Sequence, residues 1–356
     1  MSGLDKRELV GAELTDRERQ VLDAVVRTYV DMAEPAGSRT ISRSFDLGIS
    51  AATVRNTMSD LEEKGYLFHP HTSAGRVPTD IAYRFFVDRL MEPILLTEVE
   101  RSSLERELGV GGSAVERLVR HATRALSLLS NELGVAVAPR LDDAVLEKLE
   151  LIQVSSNKVL LVATIRGGVV RTVYVDLPVE VPEKALVTVT LALNERLTGL
   201  SLQEIRRTLP QRLRDSHGGQ GAAAELLNIF VQSGAELFDL RDLDGIDIHL
   251  GHASVLAAQP EFESGDRLKS LIELTERRDL LAQSVGNREH RGRVVITIGG
   301  ENDSSELADF TLVTSEYRAG DLTGVIGVIG PTRMPYEKVV TIVDYTSTLV
   351  TRMLQS

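Results

Sequence analysis

The stretch Ser50–Asp80, SAATVRNTMSDLEEKGYLFHPHTSAGRVPTD, runs from a helical repeat into a small, hydroxyl-rich loop that closes on one arginine. Ser50 can cap a helix reaching about Lys64. On it Val54, Met58 and Leu61 form an apolar stripe at i, i+4 and i+7, while Thr53, Arg55, Asn56 and Ser59 face elsewhere. Gly65 ends that helix, and Tyr66-Leu67-Phe68 reads as a short strand. Gly75 and Pro78 make 72–80 a loop that returns as a second strand through Arg76-Val77.

Working toward the N-terminus, "DLGIS" supplies a turn in which Gly48 suits a tight backbone. Ser38 or Thr40 can cap a short helix that buries Ile41 and Phe45. Before the turn "EPAGS", Arg17 to Met32 places Val21, Leu22, Val25, Val26 and Tyr29 at helical spacing, behind a capping-box pair, Thr15 and Glu18. Two short helices joined by a glycine-bearing turn predict a helix-turn-helix, and the hairpin after the third helix predicts a winged helix. Asp80 can cap a further helix carrying Ala82, Phe85, Phe86 and Leu90 as far as Pro93.

The composition bounds the rest. A chain of 356 residues predicts two or three domains, and the absence of cysteine excludes disulfides, thiolate metal sites and cysteine nucleophiles. The N-terminus lacks the apolar core of a signal peptide and no apolar run suits a membrane helix, so a soluble, cytoplasmic protein with no membrane partner is expected. A formal charge of −12 argues against non-specific coating of nucleic acid. It leaves room for a small basic reading head: Ser38 to Ser59 carries Arg39, Arg43 and Arg55 against Asp46, and Asp60, Glu62 and Glu63 crowd the far half of the third helix.

Beyond Thr97, two helical patterns (97–108 and 113–132) flank "GVGG", read as a hinge. Three strand-like runs, 149–154, 159–165 and 169–177, read as an antiparallel meander. A mostly helical region from Pro182 to Val285 is broken by the loop "DSHGGQGAAA", and strands return at 294–298, 310–317 and 324–330 before an amphipathic helix from Tyr336 to Met353. Sheet on both sides of a helical block predicts one α+β domain carrying an insertion. The expected boundaries are 1–92 for the winged-helix domain, 93–112 for a linker helix and hinge, 113–180 with 286–356 for the α+β domain, and 181–285 for the insertion.

No motif favours catalysis. His249 and His252, three apart in a strand-like run, face opposite ways and the remaining histidines are scattered, so no metal is expected. "VVITIGGEND" lacks the lysine of a phosphate-binding loop and reads as a hairpin turn. No paired-carboxylate, GxSxG or HExxH pattern occurs, and no cofactor is implied.

Three blocks, "EPAGSRTIS", "SAATVRNTMSDLEEKGYLFHPHTSAGRVPTDIAYRFFVD" and "GVIGVIGPTRMPYEKVV", resemble the heat-inducible transcription repressor family HrcA over nearly the whole chain. The resemblance implies a non-enzymatic, homodimeric repressor in which the α+β domain is GAF-like and the insertion is a dimerising domain. It further implies binding to double-stranded DNA at an inverted-repeat operator, CIRCE, upstream of chaperone operons, release on heat shock, and assistance by a GroE-type chaperonin. Ala51, Thr57 and Ile81-Ala82 depart from the family pattern without touching the main assignment, and residues 1–14 carry no motif.

The third helix of a winged helix enters the major groove N-terminus first, which places Arg55, Asn56 and Thr53 near bases, with Ala52 on the same DNA-binding surface. Arg39, Arg43, His71, Thr72, Ser73 and Arg76 are expected near phosphates or the minor groove, with Ser38, Thr40, Ser50 and Gly75 on the same surface. The alternative is a repressor governed by a small molecule bound in the GAF-like domain; a third reading is an adaptor whose winged helix binds protein.

Overall fold

A computed structural model describes residues 14–71, 74–92, 94–109, 115–139, 144–166, 169–178, 181–214, 222–238, 248–286 and 292–355. The N-terminal unit is built from α1 (Asp16–Met32), α2 (Ser38–Ser44), α3 (Ala51–Glu63), the strands β1 (Leu67–Phe68) and β2 (Val77–Pro78), and α4 (Asp80–Phe85), which runs on as a π turn through Leu90. The capping box forms as expected: Thr15 Oγ1 accepts from the Glu18 amide, and the Glu18 carboxylate accepts from the Thr15 amide. Lys64 Nζ reaches the same carboxylate at 2.6 Å and ties the end of α3 to the start of α1. Val21, Leu22, Val25 and Val26 of α1 pack on Ile41, Val54, Met58 and Leu61, all buried.

Two caps differ from expectation. Gly37, not Ser38 or Thr40, occupies the cap position of α2, because the backbone is already helical at Ser38. Thr79 rather than Asp80 caps α4: its Oγ1 accepts from the Ala82 amide and donates to the Gly65 carbonyl at 2.8 Å, which leaves the Asp80 carboxylate free for a distant contact. Pro93, expected to end this helix, lies outside the described residues, as do residues 110–112 of the "GVGG" hinge and residues 215–221 of the second loop; Gly109, the first residue of the hinge, is the last of α5.

Next come α5 (Glu98–Gly109), α6 (Val115–Ser130), β3 (Leu133–Val137), the meander β4 (Leu146–Ser155), β5 (Lys158–Ile165) and β6 (Val169–Asp176), and the helices α7 (Glu183–Leu197), α8 (Leu202–Arg214) and α9 (Ala222–Leu237). The chain continues through β7 (Ile248–Leu250), α10 (Ala253–Ala257), α11 (Gly265–Glu276), α12 (Arg278–Gly286), β8 (Val294–Ile298), β9 (Phe310–Ala319), β10 (Leu322–Pro331) and α13 (Tyr336–Gln355).

The strands do not share one sheet. Five of them form an antiparallel sheet in the order β7-β3-β10-β9-β8, while β4-β5-β6 form a separate one. The sequence expectation that the meander belongs with the later strands is therefore corrected. The run "LGVAV" directly after α6 went unread as a strand, yet it pairs with both β10 and β7 and draws them together. The excursion from the five-stranded sheet leaves after β3 and comes back at β7, carrying the meander and α7 to α9 with it. The "GGEND" segment also differs: a 3-10 turn at Gly299–Glu301 and a second at Ser305–Leu307 separate β8 from β9 instead of a tight hairpin.

The five-stranded sheet is covered on both faces, which explains its nearly continuous apolar strands. Val313, Tyr317, Ile326 and Val328 face α6 and α13, whereas Leu133, Val135, Leu312 and Ile329 face α11 and α12. The cluster under α13 is continuous with the interior of the N-terminal unit, so that unit is packed onto the sheet. In the smaller sheet, β5 alternates between buried and half-buried residues; Val159, Leu161, Ala163 and Ile165 pack on α7 to α9. Ile152, Val170 and Tyr174 of β4 and β6 are exposed, as are Val187 and Leu191 of α7.

Candidate nucleic-acid interface

The N-terminal half of α3 presents the chemistry expected of it. Ser50 Oγ accepts from the Thr53 amide at 3.2 Å and meets Thr53 Oγ1 at 2.9 Å, so both hydroxyls are engaged in starting the helix. Ala52, Arg55 and Asn56 are exposed beyond them, and the first turn holds no acid to offset the positive end of the helix dipole. Arg39 and Arg43 are exposed on α2, with Ser38 and Thr40 half-buried beside them. Among the described residues, Arg39, Arg43 and Arg55 form no ion pair. Gly48 has the positive φ, 64°, that the turn between α2 and α3 requires.

Thr57 is buried and its hydroxyl bonds back to the Thr53 carbonyl at 3.2 Å. A glutamate in its place would meet the interior rather than the outer surface.

The hairpin is braced differently from the simplest reading. Arg76 is not presented freely: its guanidinium pairs with Glu62 at 2.7 Å and its side chain is only 12% exposed. The other oxygen of Glu62 meets His69 Nδ1 at 3.0 Å. The Arg76 backbone exchanges two 2.9 Å hydrogen bonds with Ala36, locking the hairpin to the turn after α1. Gly75 is small for the same reason, since a Cβ there would fall on the Ala36 carbonyl; its clearance is used inside the protein. His71 is exposed, and its carbonyl accepts from the Ala74 amide. Thr72 and Ser73 lie outside the described residues.

Sequence reasoning missed Glu62 as a structural partner. It counted only as one of three acids at the end of α3, although a hairpin folding back along that helix brings an arginine and a histidine to it. The pairing neutralises one acid and leaves the cationic N-terminal half of α3 as the face able to approach an anion. Among the described residues no group of three or more metal-ligating side chains forms, and no helix is long and apolar enough to cross a membrane.

Comparisons with known proteins identify the family. The family described as "HrcA protein C terminal domain" matches residues 116–340. A heat-inducible transcription repressor HrcA from Chlorobium phaeovibrioides is 38% identical over 355 residues, covering 96% of this chain and 98% of the relative. The HrcA of Chlorobaculum tepidum is 38% identical over 344 residues, covering 94% and 95%. The fold is shared with a crystal structure titled only as that of a hypothetical protein, at a TM-score of 0.65 and 20% identity over 96% of this chain and 99% of that one. With the family model matching residues 116–340 and relatives 38% identical over nearly the whole chain, the chain belongs to the HrcA family of heat-inducible transcription repressors, a family of regulators and not of enzymes.

Proposed function

We propose that this protein is a sequence-specific repressor of heat-shock chaperone operons that binds an inverted-repeat CIRCE operator as a homodimer, is assisted in that activity by a GroE-type chaperonin, and releases the operator on heat shock. In this reading residues 14–92 form a winged helix, the five-stranded sheet is the GAF-like domain, and the unit carried between β3 and β7 is the dimerising insertion. The observation that carries the DNA reading is the exposed Arg55-Asn56 pair on the N-terminal half of α3, whose side chains have no partner among the described residues, flanked by Arg39 and Arg43 in a chain of net charge −12. Arg55 and Asn56 read bases; Arg39, Arg43, Ser38, Thr40, Ser50 and His71 meet the backbone; Ala52 and Thr53 line the approach. Arg76 and Gly75 serve the surface by holding the hairpin in place.

The homodimer is supported by exposed apolar residues gathered on the inserted unit: Val187 and Leu191 on α7, and Ile152, Val170 and Tyr174 on the open face of the small sheet. Two heads on two half-sites also answer the long-range repulsion between an acidic chain and DNA. Control by a small molecule in the GAF-like domain is weakened by the packing of both sheet faces with the chain's own side chains.

A footprint on a duplex carrying the inverted repeat tests this reading at low and raised salt. Protection of both half-sites by the wild type, and its loss in Leu191→Asp, is the expected result. Binding indifferent to the repeat at every salt concentration would remove the reading and favour an adaptor.

A further inference from the structure

Residues 329–334, IGPTRM, have so far served only to mark the family. Ile329 is buried under α11 and α12. Gly330 has no room for a side chain, because the Glu132 carboxylate occupies the place of a Cβ. Pro331 closes β10 against Phe310, the Thr332 carbonyl accepts from Tyr336 Oη at 2.6 Å, and Met334 is buried. Every residue but one holds the end of β10 still.

The remaining residue, Arg333, reaches out of the sheet domain. Its Nη1 donates to the Val30 carbonyl at 2.6 Å, in the last turn of α1, where helix carbonyls lack partners of their own. Its Nε and Nη2 grip Glu261, the second at 2.9 Å, in the short turn between α10 and α11. One planar fork thus joins the reading head, the β10–α13 loop and the helices on the far face of the sheet. Both side chains of the pair are 14% exposed, less than either partner in the other ion pairs that cross this seam among the described residues. Those are Arg27 on Glu337 at 2.8 Å and Arg84 on Glu301 at 2.6 Å. Asp80 adds a hydrogen bond from the Gly300 amide, and the rings of Tyr83 and Tyr336 meet at 5.7 Å.

Because α1 packs directly on α3, whatever fixes the end of α1 also fixes α3. We propose that Arg333, held by Glu261, is a positioning residue for DNA binding: it sets the angle at which the head presents α3, so the IGPTRM block governs operator affinity without touching DNA. The DNA clause rests on the function proposed above; the positioning clause does not. A dimer whose heads are held at one angle meets two half-sites at a high effective concentration, and loosening the heads forfeits that gain.

The native chain has no cysteine, so Ser44→Cys on α2 and Thr323→Cys on β10 give a clean pair of spin labels in the full-length protein, diluted into unlabelled chain. Wild type is expected to give one narrow distance distribution. Arg333→Met, which removes the fork, and Glu261→Gln, which removes its anchor, are expected to broaden it; Arg333→Lys, which keeps the charge but cannot grip in two places, broadens it as well. In the same proteins, affinity for a duplex with both half-sites is expected to fall roughly tenfold or more, with affinity for a duplex in which one half-site is scrambled held within about twofold.

The three variants guard against one that fails to fold, which far-UV circular dichroism detects. Unchanged distance distributions in the folded variants overturn the positioning role. Broadened distances with unchanged affinity for both duplexes overturn the link to DNA binding. A wild type that does not prefer the two-half-site duplex overturns the DNA reading itself, while the distance arm still judges the lock.

Discussion

Arg55→Ala is the sharpest probe of the reading surface. Arg55 is exposed and forms no ion pair among the described residues, so no internal bond must break before it meets a base. A bidentate arginine–guanine contact supplies about 1–3 kcal/mol of discrimination, and two heads on one operator double it to about 2–6 kcal/mol. Operator affinity should therefore fall by roughly 30-fold to more than 10,000-fold, since about 1.4 kcal/mol is tenfold. Random duplex should lose far less. Salt separates the two possible roles: a base contact leaves the slope of log K against log [salt] unchanged, whereas a phosphate contact removes about 0.9 per head, or about 1.8 per dimer. Fluorescence anisotropy at several salt concentrations, on operator and on scrambled duplex, measures both quantities. Equal losses on the two duplexes with a slope reduced by about 1.8 would refute base reading by Arg55.

Other perturbations follow from the same geometry. Arg76→Ala leaves Glu62 without its partner and should destabilise the hairpin by about 1–3 kcal/mol, seen as faster hydrogen exchange at Leu67 and Val77; unchanged exchange would show that the ion pair does not brace it. Asn194 accepts from the Leu149 amide at 2.8 Å and donates to the Leu149 carbonyl at 2.6 Å, standing in for a neighbouring strand along β4. Asn194→Ala should cost about 1–3 kcal/mol in thermal unfolding, and an unaltered melting temperature would count against that role. Burial holds the Glu132 carboxyl well above the ordinary carboxylate value of 4.5, against the pull of Gln259 and Arg333. Between 4.5 and its raised value the folded chain keeps a proton that the unfolded chain has lost, so stability falls as pH rises through that window. Glu132→Gln should match wild type near pH 4 and melt higher at pH 7; a difference independent of pH would exclude the linkage.

Local patterns were legible where the chemistry was local. The capping box at Thr15 and Glu18, the stripe of Val54, Met58 and Leu61, and the antiparallel order of the meander all follow from spacing within a few residues. The grouping of strands was not legible, because β3 shows no alternation to betray it: a strand covered on both faces reads as a plain apolar run, and its partners lie more than a hundred residues away. The cap of α4 was misassigned for a related reason. Thr79 and Asp80 are both good caps, and what decides between them is the distant amide of Gly300, which engages Asp80.

The hairpin shows the same limit in the candidate site. A loop of small residues ending in arginine is chemically suited to a phosphate, and its sequence contains nothing that points inward. What turns Arg76 inward is the return of the chain along α3, which puts Glu62 within reach and leaves Arg76 little exposed to solvent. For Arg76 to bind DNA it would have to give up a charge-assisted hydrogen bond of about 1.5–3 kcal/mol, a cost Arg55 does not carry. Two arginines twenty-one residues apart, equivalent by composition, thus differ by an amount comparable to a whole base contact. The one left without an internal partner among the described residues is the one that can spend its interaction on DNA.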